Sequence, residues 1–175
     1  RQKLYCVSGH VKKPGIYEMP LGVTLDELVE LAGGYVGTLK AFSPGGASSG
    51  FLPASKRDLP LDFGNLNEIG SMLGSAGVVV LNDTVDLRWA VEQQLRFFED
   101  ESCGQCAPCR IGTRYLRESL IGSLTQDHQP PGKSDLTHVA DVAWQMNEGS
   151  IWGLGQAAPL PLTSALRYFP EEFEA

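Results

Sequence analysis

The sequence predicts an α+β protein built in two parts, a small strand–strand–helix–strand unit followed by a four-helix bundle. Three observations carry that reading. The first fifty or so residues hold short apolar runs separated by Pro and Gly turns. From residue 84 onward apolar residues recur at helical spacing. Between the first two predicted bundle helices, Cys103, Cys106 and Cys109 stand at C-x-x-C-x-x-C spacing.

The elements follow in order. Residues 4–9 read as a strand, and Pro14 and Gly15 as a turn, because Pro fixes φ and Gly accepts positive φ. Residues 15–19 return as a second strand, giving a hairpin. Thr24 with Glu27 is a capping box. It opens a helix over 25–32 with Leu25, Leu28 and either Leu31 or Val29 on one face. Gly33 and Gly34 end that helix, and residues 39–42 form a third strand. Hairpin, helix and return strand are the parts of a β-grasp fold, assigned to residues 1–53.

The Gly/Ser loop at 43–50 has two readings, an anion cradle of backbone N–H groups or a flexible turn in a small sheet. The turn is preferred, because the loop lacks the strand–loop–helix setting of a phosphate site. Residues 54–82 are expected to connect the two parts, with a short helix over 62–69, a glycine-rich loop over 70–77 and a buried strand over 78–81.

The bundle is assigned to residues 83–175. Asp83 or Thr84 is expected to cap its first helix, which runs to Asp100 with Leu87, Val91, Leu95 and Phe98 on one side. The second runs over about 108–121. Ser134 caps a third, to about Asn147, with Leu136, Val139, Ala140, Ala143 and Met146 as its stripe. Pro159 or Pro161 opens a fourth, to Phe169. Met72, Met146, Trp89 and Trp144 are expected in the core.

Composition narrows the function. Net charge is −7 with no basic stripe, a poor match for nucleic acid. No apolar run has the length of a membrane-spanning helix. The chain opens on a strand without Met, and a longer chain is expected upstream. Three of four cysteines within seven residues favour a metal site in a reducing compartment over disulfides.

Three thiols on one tight loop suit an iron–sulfur cluster. Cys109 falls in the first turn of a helix, where unpaired N–H groups and the helix dipole favour thiolates. Gly104 permits a tight wrap, and Pro108 suits the first helical position. Arg110 and Arg114 either add positive charge there or form a solvated helix face. Zinc is the main metal alternative. Structural zinc prefers paired ligands, and only His128 and His138 lie downstream to complete a set. Cys6 is expected to be a buried small side chain on its strand. No acid–base or nucleophilic constellation is visible.

The run ESCGQCAPCRIGT at 101–113 resembles the cluster loop of the flavoprotein, NADH-binding subunits of respiratory complex I. NAD-dependent formate dehydrogenase beta subunits and bidirectional hydrogenase diaphorases share that loop. LYCVSGHVKKPG at 4–15 resembles the start of the family's soluble-ligand-binding β-grasp (SLBB, ubiquitin-like) domain. GSMLGS at 70–75 resembles the segment before its bundle, and residues 150–156 and 164–173 resemble its end. Ile111 and the ending at 169–173 lean toward the formate dehydrogenase branch.

The resemblance implies an electron-transfer module: an SLBB β-grasp domain followed by a four-helix iron–sulfur bundle, with Cys103, Cys106 and Cys109 as the cluster ligands. Hydride exchange between NAD(H) and FMN is implied for an N-terminal domain that this sequence lacks. Other subunits of an NAD-linked oxidoreductase are implied as partners, among them a 2Fe–2S ferredoxin-like one. The implied location is cytoplasmic, including the cytoplasmic face of a membrane complex. The family's fourth ligand corresponds to Trp152, whose indole N–H has no lone pair for iron. The expected centre is therefore 3Fe–4S, or 4Fe–4S with water, hydroxide or an external thiol on the unique iron. The competing reading is a docking or scaffold module that has lost its cluster.

Overall fold

The computed structural model describes residues 1–122 and 135–174, and the chain divides into two compact units, Arg1–Val85 and Asp86–Ala175. The protein is α+β.

The first unit is built on a five-stranded sheet of order β2-β1-β5-β3-β4. Strand β1 (Gln2–Gly9) pairs antiparallel with β2 (Gly15–Pro20), setting Tyr5 opposite Tyr17. The strand's two-residue period puts Tyr5 and Val7 in the core and Leu4, Cys6 and Ser8 outside. Cys6 is therefore exposed, contrary to expectation. Helix α1 (Leu25–Leu31) starts on the predicted Thr24–Glu27 capping box. It buries Leu25, Leu28 and Val29 and leaves Leu31 half exposed. Strand β3 (Leu39–Ser43) pairs with the short β4 (Leu52–Pro53).

The segment expected to be a connector is part of this sheet. After the short helix α2 (Phe63–Glu68), β5 (Gly77–Asn82) runs parallel to β1 and antiparallel to β3. Its apolar run buries Val78 and Val80 completely because the strand is central to the sheet. A hairpin and a lone return strand leave two open edges, and β5 fills the gap between them.

The 43–50 loop, which joins β3 to β4, is held by hydrogen bonds of its own. The Gly45 N–H donates to Ser49 Oγ at 3.0 Å, and Ser43 Oγ donates to Gly50 O at 2.8 Å. A Cβ on Gly45 would meet Leu73 O at 2.2 Å, so the two glycine-rich loops pack backbone to backbone. Ser71 Oγ donates to Ser49 O at 2.7 Å and ties them together.

The second unit is helical. Helix α3 (Leu87–Glu101) is capped by Asp86, whose carboxylate accepts from the N–H groups of Arg88 and Trp89. Neither expected residue is the cap, and Thr84 instead gives its N–H and hydroxyl to Asn82 Oδ1 in the turn before the helix. The predicted stripe Leu87, Val91, Leu95 and Phe98 is buried. Helices α4 (Ala107–Ile121), α5 (Val139–Gly149) and α7 (Leu160–Tyr168) complete the bundle, with a short helix α6 (Gly153–Ala157) that the sequence pattern did not suggest. The predicted Ser134 cap and His128 lie outside the described residues. Val139 and Met146 are the buried residues of α5.

Trp89 and Trp144 are 59% and 67% exposed, contrary to the expectation of core positions. Each lies two residues from a buried neighbour, Val91 or Met146, which places it about 200° around its helix. Met72 is half-buried. Among the described residues, no helix is long and apolar enough to cross a membrane.

Candidate metal centre

Helix α3 ends where Ser102 turns the chain out, and α4 begins five residues later, so the intervening loop must reverse quickly. Gly104 does this with φ of +72°, a conformation that L side chains rarely adopt. Ser102 Oγ accepts from the Gly104 N–H at 3.3 Å, and Arg110 Nη1 donates to Gly104 O at 3.0 Å. Arg110 therefore fastens the loop to α4. Arg114 instead pairs with Glu118 at 2.8 Å on the solvated face.

Cys106 is the N-cap of α4, with extended backbone and Pro108 in the first turn. Cys106 and Cys109 are buried, while Cys103 lies at the surface. The Ile151 N–H is directed at the Cys106 sulfur and holds this thiol below its ordinary pKa, assisted by the Cys109 N–H and opposed by burial. Burial pushes the Cys109 thiol up, against a lowering contact from Ser102. The charges of Cys106 and Cys103 raise it further. Ser102 Oγ and Cys109 Sγ lie 3.3 Å apart.

A second segment closes over the thiols. Gly155 packs so tightly here that an added Cβ would lie 2.8 Å from Cys109 Cβ and 2.4 Å from Ser150 Oγ. Gly149 lies against the Pro108 ring. Trp152, the expected place of a fourth ligand, is the N-cap of α6 and is 51% exposed. Ile111 and Ile151 beside the loop are 62% and 73% exposed.

Among the described residues, no three His, Cys, Asp or Glu side chains gather closely enough to hold a single ion. His138, considered for zinc, stands at the start of α5 with Asp141 3.9 Å away. The donor set suits an iron–sulfur group. Its thiols are soft ligands, and the Ile151 N–H hydrogen-bonds the Cys106 sulfur. Sequence reasoning missed Ser102, Ser150 and the Ile151 N–H. Ser102 directly precedes Cys103, the one signal available for it. Hydroxyls and main-chain donors leave no spacing pattern.

Residues 89–175 match the family described as the NADH-ubiquinone oxidoreductase-F iron-sulfur binding region, and residues 4–52 match the SLBB domain. The F component of the NADH-quinone oxidoreductase of Streptomyces coelicolor is 39% identical over 173 residues, covering 98% of this chain and 38% of that protein. Its counterpart in Rickettsia akari is 37% identical over 176 residues, covering 98% of this chain and 41% of that protein. The chain thus spans about two fifths of the length of these curated relatives. A crystal structure of an NAD+-reducing NiFe hydrogenase in the H2-reduced state matches with a TM-score of 0.82 and 32% identity, over 99% of this chain and 29% of that one.

Proposed function

This chain belongs to the NADH-ubiquinone oxidoreductase F family, of which it carries the SLBB domain and the iron–sulfur binding region, and on that premise we propose that it is an electron-transfer module. Cys103, Cys106 and Cys109 would hold an iron–sulfur cluster at the start of α4. Such a cluster, when bound, accepts and releases single electrons. The chain's own part is to bind and shield: the α4 N-terminus and the Ile151 N–H favour thiolate at Cys106. Burial of Cys106 and Cys109 keeps water from two of the three sulfurs. The observation that carries the reading is this meeting of three cysteines on one α3–α4 turn, two of them buried under the 150–155 segment.

Trp152 supplies no lone pair, so the centre would be 3Fe–4S, or 4Fe–4S with a non-protein ligand on one iron. FMN and NAD(H) would sit on a domain outside this sequence. The partners would be the other subunits of an NAD-linked oxidoreductase, including a 2Fe–2S ferredoxin-like one, in the cytoplasm or at the cytoplasmic face of a membrane complex. Trp152 also motivates the second reading, a docking module without a cluster. Anaerobic purification with metal analysis separates them. The first reading expects brown protein with about three or four irons per chain, and the second expects colourless, iron-free protein even after reconstitution. Zinc in place of iron would overturn both.

A further inference from the structure

Ser150 has one polar group left over. Its N–H donates to Met146 O at 3.1 Å, and its carbonyl accepts from Gln156 Nε2 at 3.2 Å. Its side chain is buried, with the residue only 6% exposed, yet Oγ has no hydrogen-bond partner. Other hydroxyls near the thiols are satisfied: Thr113 Oγ1 donates to Cys109 O at 2.9 Å, and Ser102 Oγ meets Cys109 Sγ at 3.3 Å. A buried, unpaired hydroxyl is a standing cost in a folded chain. Such an atom at a binding site marks where a missing group belongs.

Its surroundings say which group. Gly155 faces Ser150 and Cys109 together, since an added Cβ there would strike Ser150 Oγ, Ser150 Cβ and Cys109 Cβ. That close approach sets Oγ beside the Cys109 side chain. The unpaired hydroxyl therefore lies beside the thiol site. A thiol is a weak acceptor, whereas a metal-bound thiolate is charged and accepts strongly.

We infer that Ser150 Oγ–H is the hydrogen-bond donor that closes onto a sulfur of the site beside Cys109 when a cluster is bound, and that it helps to set the cluster's potential. Ser150 is a positioning residue that acts through that sulfur and does not ligate iron. A donor on sulfur stabilises the more negative, reduced state, so it raises the reduction potential. The inference rests on the cluster reading above.

The test uses S150A and S150T in the full-length chain after anaerobic reconstitution. With the cluster present, S150A keeps the wild-type iron count but shifts the midpoint potential negative. It also loses one exchangeable-proton coupling that the wild type shows by pulsed EPR in H2O and not in D2O. S150T, which keeps the hydroxyl, restores both. The metal-free S150A protein melts no lower than the wild type, because it loses an unpaired hydroxyl and no contact. An unchanged potential and proton coupling in S150A would overturn the inference. So would loss of iron in S150A, which would make Ser150 a ligand. Failure of the underlying reading shows separately, as a wild type that takes up no iron, and that result would remove the inference as well.

Discussion

Gly112 of α4 and Met146 of α5 are packed so closely that a methyl group added to the glycine would lie 2.3 Å from the methionine sulfur. Met146 is fully buried. This contact seats α5, and with it the 150–155 segment, against the helix that carries Cys106 and Cys109. A helical Gly→Ala change gains up to about 1 kcal/mol of propensity, but overpacking costs about 1–3 kcal/mol. G112A should therefore be a net loss of about 1 kcal/mol and G112V a larger one. Urea unfolding measures it, and a G112V protein as stable as the wild type would refute the close seating.

Arg117 joins two helices through two carboxylates. Its guanidinium reaches Glu92 at 2.8 Å and Glu99 at 3.1 Å, with 16–25% of these side chains exposed. Glu92 and Glu99 lie seven residues apart on α3, so both face α4. R117M keeps the aliphatic stem and leaves two half-buried carboxylates without their cation. The expected loss is about 2 kcal/mol, largely retained at high salt because the pair is shielded. A change under about 0.5 kcal/mol, the range of an ordinary surface substitution, would mean that the bridge is decorative.

The first unit should have an alkaline limit set by Tyr35. Burial, followed by its hydrogen bond to Asp26, pushes this phenol up from 10.0 to about 12. Its hydroxyl donates to Asp26 Oδ1 at 2.7 Å, and Arg57 lies over the ring, 5.0 Å from its centre. Because the phenol ionises less readily in the folded chain, its contribution is fully present below about pH 10 and is lost as pH climbs toward 12. Unfolding curves taken through that window should fall more steeply for the wild type than for Y35F. Parallel curves would show that Tyr35 titrates as it does in the unfolded chain.

Trp152 offers a gain-of-ligand experiment. It is half exposed at the N-cap of α6, so W152C removes little core. If residue 152 stands at the fourth corner of the site, the new thiolate completes a four-cysteine set. The reconstituted variant should hold about four irons. Its EPR signal should arise only after reduction, whereas a three-iron wild type is EPR-active when oxidised. With a three-iron wild type, identical spectra and iron counts from variant and wild type would place residue 152 away from the metal.

Short-range signals are legible in the sequence. The Thr24–Glu27 capping box, the buried stripe of α3 and the start of α4 at the cysteine motif each depend on neighbours within a few residues. What escapes depends on partners far along the chain. Nothing in Val78, Val79 and Val80 says that their strand lies between β1 and β3, some forty to seventy residues upstream. Trp89 and Trp144 are misplaced when their size is weighed over their helical phase, and Cys6 when its residue type is weighed over the two-residue period that turns it outward. At the site, the spacing announces the three cysteines. The Ser150 hydroxyl emerges only from the packing of Gly155 against Cys109.

The most direct measurement is the count of acid-labile sulfide and iron in anaerobically reconstituted protein, beside a variant with Cys103, Cys106 and Cys109 all changed to Ser. The account predicts near-equal sulfide and iron in the wild type, about three to four of each per chain, and neither in the variant. Iron without sulfide, or the same content in both proteins, would contradict it.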